Sequence, residues 1–238
     1  MNEIIKSRQN NRVKFWCSLK NKKYRNKEKL FLIEGNHLLE EANKIGIVES
    51  VIAVEGSTFS ANYYVSKEVM EKISSNVSIP DVVAVCRFLD TNKSESNKVV
   101  MLDNLQDPGN IGTIIRTAKS FGYDEVIIDE GVDIYNEKLI RATQGAIFHI
   151  NVRSSLLTKE IIDYQNEGFK VYATSLKNSK PLKSYGNEER IAIVFGNEGN
   201  GVRPDILDIV DSSIFIEING FESLNVAVAA GIVLHYFS

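Results

Sequence analysis

Four runs of largely apolar residues between positions 98 and 195 constrain the fold of the chain most strongly. These runs are KVVMLDN (98–104), EVIID (125–129), KVYAT (170–174) and IAIVF (191–195). Uninterrupted apolar strands of this kind are typical of parallel sheets that are buried on both faces. Helical patterns lie between or after them, at Ile111–Phe121, Asn136–Thr143, Thr158–Gly168 and Ser223–Phe237. Residues 98–238 are therefore predicted to form an open, mostly parallel α/β sheet.

The first ninety residues predict a smaller α/β domain. LFLIEG (30–35) is predicted to be a strand, and Asn36 is predicted to cap a helix that ends at Gly46. A second round follows, with SVIAVEG and YYVS as strands, KEVMEKISS as a helix and VVAVCRFL as a strand. The polar stretch 91–97 has no apolar periodicity and predicts a linker between domains 1–90 and 98–238.

The charge of the chain is unevenly distributed. The formal net charge is -3, with 28 Lys and Arg against 31 Asp and Glu, but residues 1–30 contain ten basic and only two acidic side chains. This segment carries +8 and the remaining 208 residues carry -11. Between Ser7 and Asn21, apolar residues recur at helical spacing among the cations, which predicts a cationic amphipathic helix. A polyanion would meet a basic patch on an acidic body.

Several classes of protein are disfavoured by what the sequence lacks. Cys17 and Cys86 belong to no CxxC motif, and no apolar run approaches the roughly 18–20 residues of a membrane span, so we expect a cytoplasmic protein without a membrane anchor. The three histidines have no metal-ligand spacing, and no metal is expected. The glycines of 196–201 stand in the reverse order of the dinucleotide fingerprint, which disfavours a nucleotide-dependent oxidoreductase.

Three segments share a design that points to one composite site. In 102–122, 193–207 and 214–234 an apolar strand runs into a loop rich in Gly, Asn and carboxylate or hydroxyl residues, and a helical pattern follows. Ligands of open α/β sheets bind beyond the carboxyl ends of the strands, where such loops gather. Each segment also has a purely structural interpretation. Asn110 or Ser223 could serve simply as a helix cap, and the glycines of 196–201 could simply form a flexible connection.

Together the three segments resemble the motifs of the SpoU, or TrmH-like, branch of the SPOUT methyltransferases. Motif 1 is matched by Asn110, Gly112 and Arg116 in the pattern N-x-G-x-x-x-R. Motif 2 is matched by Gly196, Glu198, Gly199 and Gly201, and motif 3 by Ser223-Leu224-Asn225-Val226. The resemblance covers residues 98–238. Residues 1–90, with FLIEGNHLLEEA at their centre, look like the RNA-substrate-binding domain that often precedes this family, whose fold is similar to small ribosomal RNA-binding proteins.

The resemblance implies an enzyme that uses S-adenosylmethionine to methylate a ribose 2′-hydroxyl of RNA, acts as a homodimer and contains a deep trefoil knot. The cofactor pocket would be formed by Thr174, Gly196, Ile216, Ile218, Leu224 and Asn225. Gly196 would let the backbone approach the cofactor, since it has no side chain. Arg116 would bind the target phosphate and stabilise charge on the reacting oxygen, because a guanidinium rarely deprotonates. Asn110, Glu198, Ser223 and Asn225 would orient Arg116 and the ribose.

The basic segment then becomes a candidate RNA-binding surface. The predicted phosphate contacts are Arg8, Arg12, Lys14, Lys22, Lys23 and Arg25, with Trp16 or Tyr24 available to stack on an unpaired base. Structured RNA, and ribosomal RNA before transfer RNA, is the expected partner. A non-catalytic RNA-binding or ribosome-assembly protein is the alternative, because Glu217 stands where the family usually has Pro. The retained Arg116 and Asn110 argue against it.

Overall fold

The computed structural model describes residues 4–76, 78–93, 95–129, 131–186, 188–220 and 223–238. Ser94 of the predicted linker and the motif 3 residues Phe221 and Glu222 lie outside this part. The chain divides into two compact units, which we call the N-terminal unit (Met1–Asp90 with Tyr135–Phe148) and the C-terminal unit (Thr91–Ile134 with His149–Ser238).

The segment Tyr135–Phe148 was assigned to the second domain by the sequence, but its contacts group it with the N-terminal unit. The Tyr135 ring stacks on Phe88 at 3.8 Å between centroids and lies 4.8 Å from Phe31. Its hydroxyl accepts a hydrogen bond from the backbone N–H of Leu89 at 2.9 Å. A helical pattern in the sequence carries no information about which unit the helix packs against, so this grouping was not predictable.

The N-terminal unit contains a mixed sheet in the order β1-β4-β3-β5-β2, in which β5 runs antiparallel to β2 and β3. Its strands are β1 (Ile4–Ile5), β2 (Leu30–Glu34), β3 (Val48–Val54), β4 (Tyr63–Val65) and β5 (Val82–Arg87). Its helices are α1 (Asn11–Ser18), α2 (Lys22–Glu28), α3 (Asn36–Lys44), α4 (Lys67–Ile73) and α6 (Glu137–Ala142), with a 3-10 helix at Ala146–Phe148. The four strands predicted here, and the helix predicted after YYVS, are confirmed.

One local prediction for this unit is confirmed and one is wrong. The helix expected between Ser7 and Asn21 is α1, whose start is capped by Asn10, which accepts a hydrogen bond from the Arg12 N–H. A second helix, α2, begins directly after Asn21, which caps it by accepting from the Lys23 N–H. Asn36 does not cap α3: the capping position is Gly35, at φ +94°, and the Asn36 amide donates instead to Glu40 at 2.6 Å. Glycine and asparagine both occur at the N-cap of helices, so the sequence alone does not decide whether Gly35 or Asn36 is the cap.

The C-terminal unit is built on a parallel sheet of seven strands in the order β10-β12-β9-β11-β6-β7-β8. Its strands are β6 (Lys98–Leu102), β7 (Glu125–Asp129), β8 (Asn151–Ser155), β9 (Lys170–Thr174), β10 (Ser179–Pro181), β11 (Ile191–Phe195) and β12 (Ser212–Phe215). Its helices are α5 (Pro108–Ser120), α7 (Leu157–Asn166), α8 (Pro204–Leu207) and α9 (Val226–Tyr236), with a 3-10 helix at Leu182–Ser184. The predicted parallel α/β class is confirmed; the knot stays a prediction.

Both faces of this sheet are buried, as the continuous apolar runs required. Alternate strand residues such as Met101, Val171 and Val194 pack with α7 and α8 in one apolar cluster. Their neighbours along the strands, such as Val100 and Phe195, are equally buried. Helices α5 and α9 pack on each other, and α5 also contacts β7. Because successive side chains of a strand point to opposite faces, burial of both sets requires a covering layer on each side.

A buried ionic network stabilises the β7–β8 side of the sheet. The Arg153 guanidinium donates two hydrogen bonds to Glu160, at 2.6 and 2.7 Å, and one to Glu125 at 2.6 Å. Tyr164 donates to the second oxygen of Glu125, and Ser155 donates to Glu160 at 2.7 Å. The hydrogen bonds from Arg153 hold the pKa of Glu160 below its ordinary value, although burial opposes them.

We expect Glu160→Gln to lower the free energy of unfolding of the C-terminal unit by about 3–5 kcal/mol, because it leaves the buried Arg153 without its bidentate partner. Hydrogen-exchange mass spectrometry over β7 and β8 measures the effect. Lys183→Ala is the control, since the Lys183–Glu217 ion pair is exposed and should contribute less than about 1 kcal/mol. Equal effects of the two substitutions would contradict this account.

Lowering the pH should lower the free energy of unfolding of the C-terminal unit, as Glu160→Gln does. Because the pKa of Glu160 is lower in the folded than in the unfolded chain, its contribution is fully present above the unfolded value of about 4.3. The contribution is lost as the pH falls through the folded pKa, so protection of β8 should decrease below about pH 4 in the parent and less steeply in Glu160→Gln.

Candidate active site

Four neighbouring parallel strands, β12, β9, β11 and β6, end at one edge of the C-terminal sheet. Their last residues or the residues directly after them are Ile216, Thr174, Gly196 and Asp103. Strands β6, β11 and β12 lead into the segments that carry the three sequence motifs. The order of strands in the sheet therefore gathers segments that are about a hundred residues apart in the chain.

A chain of side-chain hydrogen bonds joins the three motifs. The Asn110 Nδ2 donates to Glu198 Oε1 at 2.9 Å, and its Oδ1 accepts from Asn225 Nδ2 at 3.1 Å. The Asn225 Oδ1 accepts from the backbone N–H groups of Ala227 and Val228, at 2.9 and 3.3 Å, and so caps α9. Donors thus point in one direction, from the start of α9 to the Glu198 carboxylate. Bonds aligned in this way polarise and strengthen one another.

The helix-cap interpretations of Asn110 and Ser223 are wrong. Helix α5 is capped by Asp107, whose carboxylate accepts from the backbone N–H of Asn110 at 2.9 Å. Helix α9 is capped by Asn225. The Asn110 side chain is consequently free of a capping role and available for the bonds between motifs.

Glu198 remains ionised in this environment. Burial raises its pKa, but hydrogen bonds from the Asn110 amide and from the backbone N–H groups of Glu198, Asp107 and Gln106 outweigh burial and leave the pKa below its ordinary value. An ionised carboxylate only accepts hydrogen bonds. Glu198 therefore holds the loop before α5 and the Asn110 amide in place, and it is poorly suited to take up a proton.

Gly196 is required by the motif 2 loop itself. Asn197 and Gly201 exchange two backbone hydrogen bonds, at 3.0 and 2.9 Å, which closes the loop. A Cβ at Gly196 would lie 2.1 Å from the Val202 nitrogen and 2.2 Å from the Gly201 carbonyl carbon. The space of the missing side chain is thus filled by the loop's own backbone.

An ion-pair cluster beside the site was missed by sequence reasoning. Asp103, which is completely buried, accepts hydrogen bonds from the backbone N–H and the Nε of Arg203, at 2.8 and 2.7 Å. The Nη2 of Arg203 lies 3.0 Å from Asp129. Burial raises the pKa of Asp103, and Arg203 counteracts part of that rise. The cluster ties the ends of β6 and β7 to the end of the motif 2 loop, and no spacing in the sequence indicates it.

The remaining predicted residues are placed without mutual hydrogen bonds. Arg116 is exposed on α5, and its guanidinium has no hydrogen bond or ion pair within the described ranges. Thr174 donates to the Val194 carbonyl at 3.2 Å. Ile216 is half-buried, whereas three residues of the motif 3 region are exposed: Ile218, Ser223 and Leu224.

The predicted RNA contacts of the N-terminal unit fall into two groups. Five of them are exposed: Arg8, Arg12, Lys14, Lys22 and Lys23. Arg25 is only 5% exposed and donates to the Leu19 carbonyl at 2.7 Å, so its inclusion was wrong. Trp16, only 3% exposed, belongs to the core and is not available for stacking, whereas Tyr24 is exposed.

The described residues lack two kinds of feature. None of their helices is long and apolar enough to cross a bilayer. Within the same residues, no group of three or more His, Cys, Asp or Glu side chains is placed to hold a metal ion.

Comparisons with known proteins agree with the geometry. Residues 97–235 match the SpoU rRNA Methylase family, and residues 10–84 match the MRM3-like substrate binding domain. The 23S rRNA (guanosine(2553)-2′-O)-methyltransferase RlmP of Bacillus subtilis is 37% identical over 98% of each chain. An RNA 2′-O ribose methyltransferase structure superimposes with a TM-score of 0.86 at 25% identity, covering 98% of this chain and 97% of the other. The AdoMet-bound rRNA methyltransferase of Sinorhizobium meliloti gives 0.84 at 27% identity, covering 98% and 96%.

The motif 2 loop provides a matched pair of substitutions. Gly196→Ala should displace the loop, because its Cβ would overlap the backbone of Gly201 and Val202, whereas Gly199→Ala should be tolerated, since its nearest neighbour is a side-chain oxygen at 3.7 Å. We expect Gly196→Ala to weaken binding of S-adenosylmethionine at least tenfold in calorimetric titration, and Gly199→Ala to change it less than threefold. Similar affinities for both variants would show that the closed loop does not shape the binding site.

Proposed function

The chain belongs to the SpoU rRNA methylase family, and we propose that this member methylates a ribose 2′-hydroxyl of 23S ribosomal RNA. It is an S-adenosylmethionine-dependent RNA ribose 2′-O-methyltransferase. The proposal of 23S rRNA is supported by the similarity to RlmP over nearly the whole chain and by the substrate-binding domain at residues 10–84. The observation that carries the methyltransferase assignment in the structure is the hydrogen-bonded chain Glu198–Asn110–Asn225, which unites the three motifs at one sheet edge.

The residues at this edge fit an adenosyl group. Ile216, Ile218 and Leu224 offer apolar side chains that are half-buried or exposed after β12, where a flat purine can cover them. Adjacent strand ends and the closed loop after Gly196 supply backbone N–H and carbonyl groups. We assign Thr174, Gly196, Ile216, Ile218, Leu224 and Asn225 to this pocket. When bound, S-adenosylmethionine supplies a methyl carbon that is already activated by its sulfonium.

The work left to the protein is positioning and charge stabilisation. The ribose oxygen forms a bond to the methyl carbon as the carbon–sulfur bond breaks, and the hydroxyl proton leaves to solvent. Arg116 suits the stabilisation of negative charge on that oxygen, since its guanidinium is exposed and positively charged. Asn110, Glu198 and Asn225 are positioning residues, because they fix the start of α5 relative to motifs 2 and 3. Ser223 is assigned the role of orienting the ribose.

The exposed cations of the N-terminal unit are proposed to bind RNA phosphates. Arg12, Lys14, Lys22 and Lys23 lie on α1 and α2, which belong to the segment of net charge +8. Arg8 adds to this surface but is partly committed, because it donates to Glu71 at 2.8 Å. Contacts to phosphates provide affinity that depends on salt and carries little sequence information.

A homodimer is supported by an exposed apolar stripe at α9. Val228 and Ile232 of α9 are 53% and 41% exposed. Their spacing of four residues places them along one side of the helix. Apolar side chains aligned on an uncovered helix face are typical of surfaces that another chain covers.

We expect Arg116→Ala to bind S-adenosylmethionine within twofold of the parent while methyl transfer to unmodified 23S rRNA falls about 10²-fold or more, because a donor to the developing charge is lost. The measurement is calorimetric titration combined with transfer of a tritiated methyl group. Lys119→Ala, which removes an exposed cation from the same helix, is the matched control and should keep its activity.

Two outcomes would contradict this proposal. Undiminished turnover of Arg116→Ala would remove Arg116 from the reaction. If the parent methylated unmodified tRNA transcripts and not 23S rRNA, the proposal that 23S rRNA is the substrate would be wrong.

We also expect Val228→Asp to convert the dimer to a monomer in sedimentation equilibrium, since a carboxylate would be buried in an apolar interface. Ile162→Glu is the control, because Ile162 is an equally exposed apolar residue on a different helix, α7. A monomeric parent, or dissociation by both substitutions, would contradict the assignment of the stripe to the interface.

A further inference from the structure

A cavity of about 360 Å³ opens at the edge of the N-terminal sheet. Its lining includes β1 and the side chains of Lys6, Asn10, Arg12, Asn62 and Tyr63. Its volume falls in the range of roughly 300–1,000 Å³ that small ligands occupy. No sequence motif points to this cavity, because its walls come from the segment before α1 and from β4, which are about fifty residues apart.

The Tyr63 ring, with Arg12 over it, forms one wall of the cavity. The Tyr63 ring lies 5.3 Å from the Trp16 ring, which is fixed in the core, and the Arg12 guanidinium carbon lies 4.8 Å from the centre of the Tyr63 ring. Arg12 is exposed, so solvent reaches the guanidinium. An exposed arginine over an aromatic ring offers a planar group on which a further planar group can stack, and unpaired nucleobases stack on guanidinium planes.

The cations of the cavity are uncommitted. Among the described residues, Lys6 Nζ and the Arg12 guanidinium have no hydrogen-bond or ion-pair partner, in contrast to the neighbouring Arg8, which binds Glu71 and the Glu68 carbonyl. Both are exposed. A phosphate at the cavity could therefore pair with them without breaking an existing bond.

Two amide groups supply donors. The Asn10 Oδ1 accepts from the Arg12 backbone N–H at 2.8 Å, and the Asn62 Oδ1 accepts from the Val51 N–H at 2.8 Å. These bonds fix both side chains and use their acceptors. Within the described part of the chain, their Nδ2 groups bond to nothing, so they can donate to acceptors on a base edge or a ribose.

We propose that this cavity binds one unpaired nucleotide of the RNA substrate, with its base stacked on Arg12 over Tyr63 and its phosphate paired with Lys6. The proposal rests on the proposed function, since it assumes an RNA substrate. Stacking, cationic and amide groups in one cavity match single-stranded RNA, in which the base face, the base edge and the phosphate are all accessible.

The test measures binding of the full chain to a 23S rRNA transcript by filter binding at several KCl concentrations. We expect Arg12→Ala and Tyr63→Leu each to weaken binding about tenfold, as loss of one stacked base does. Arg12→Lys should recover little affinity, because it keeps the charge but not the plane. Lys6→Gln should reduce the slope of log affinity against log salt by about 0.7–0.9, the change expected for one phosphate contact.

The controls separate this proposal from a folding defect and from the proposed function. Lys44→Gln, which removes an exposed cation on α3, should leave the affinity unchanged. Fluorescence of Trp16, the one tryptophan of the chain, reports whether the Tyr63 variant keeps the native core. Unchanged affinity of Arg12→Ala, or full recovery by Arg12→Lys, would overturn the stacking site. In either case the parent would still methylate 23S rRNA. If the proposed function were wrong, the parent itself would transfer no methyl group to 23S rRNA.

Discussion

The parallel direction of the strands in the C-terminal unit is the constraint on which its site depends. Parallel strands present all of their carboxyl ends at one edge, and β11 lies between β9 and β6 in the sheet. The loops after β6 and β11 consequently emerge side by side. The loop after β12 emerges at the same edge, on the other side of β9. This arrangement allows Asn110 to contact both Glu198 and Asn225.

Polar groups in this unit have two physical roles. The Arg153 network is buried, and the buried Asp103 carboxylate is bound by Arg203, so both hold strands and loops in fixed positions. Arg116 and Ser223 are exposed. A rigid frame that leaves its substrate-facing groups uncommitted is the arrangement that a reaction based on positioning requires. Glu198 belongs to the frame, because its hydrogen bonds keep it ionised and oriented.

In the N-terminal unit, the surface differs from what charge alone suggested. Arg25 and Trp16 are buried among residues of α1, α2 and the sheet, although both stand in the most basic stretch of the chain. Tyr63, which no basic run marks, is an aromatic ring that does lie beside an available cation, Arg12. Charge is a property of the sequence, but the side of a short helix that faces solvent is decided by what packs against the other side.

The sequence by itself determined the strands, the parallel class and the motif segments, because continuous apolar runs such as 191–195 can be buried only on both faces of a sheet and because Gly and Asn collect where strands end. It did not determine which asparagine caps a helix, since Asn36, Asn110 and Asn225 are chemically equivalent and only their neighbours differ. Nor did it determine that Tyr135–Phe148 packs with the first ninety residues, or that Asp103 meets Arg203. These pairings join residues far apart in the chain, and only the tertiary packing brings them within hydrogen-bond or van der Waals distance.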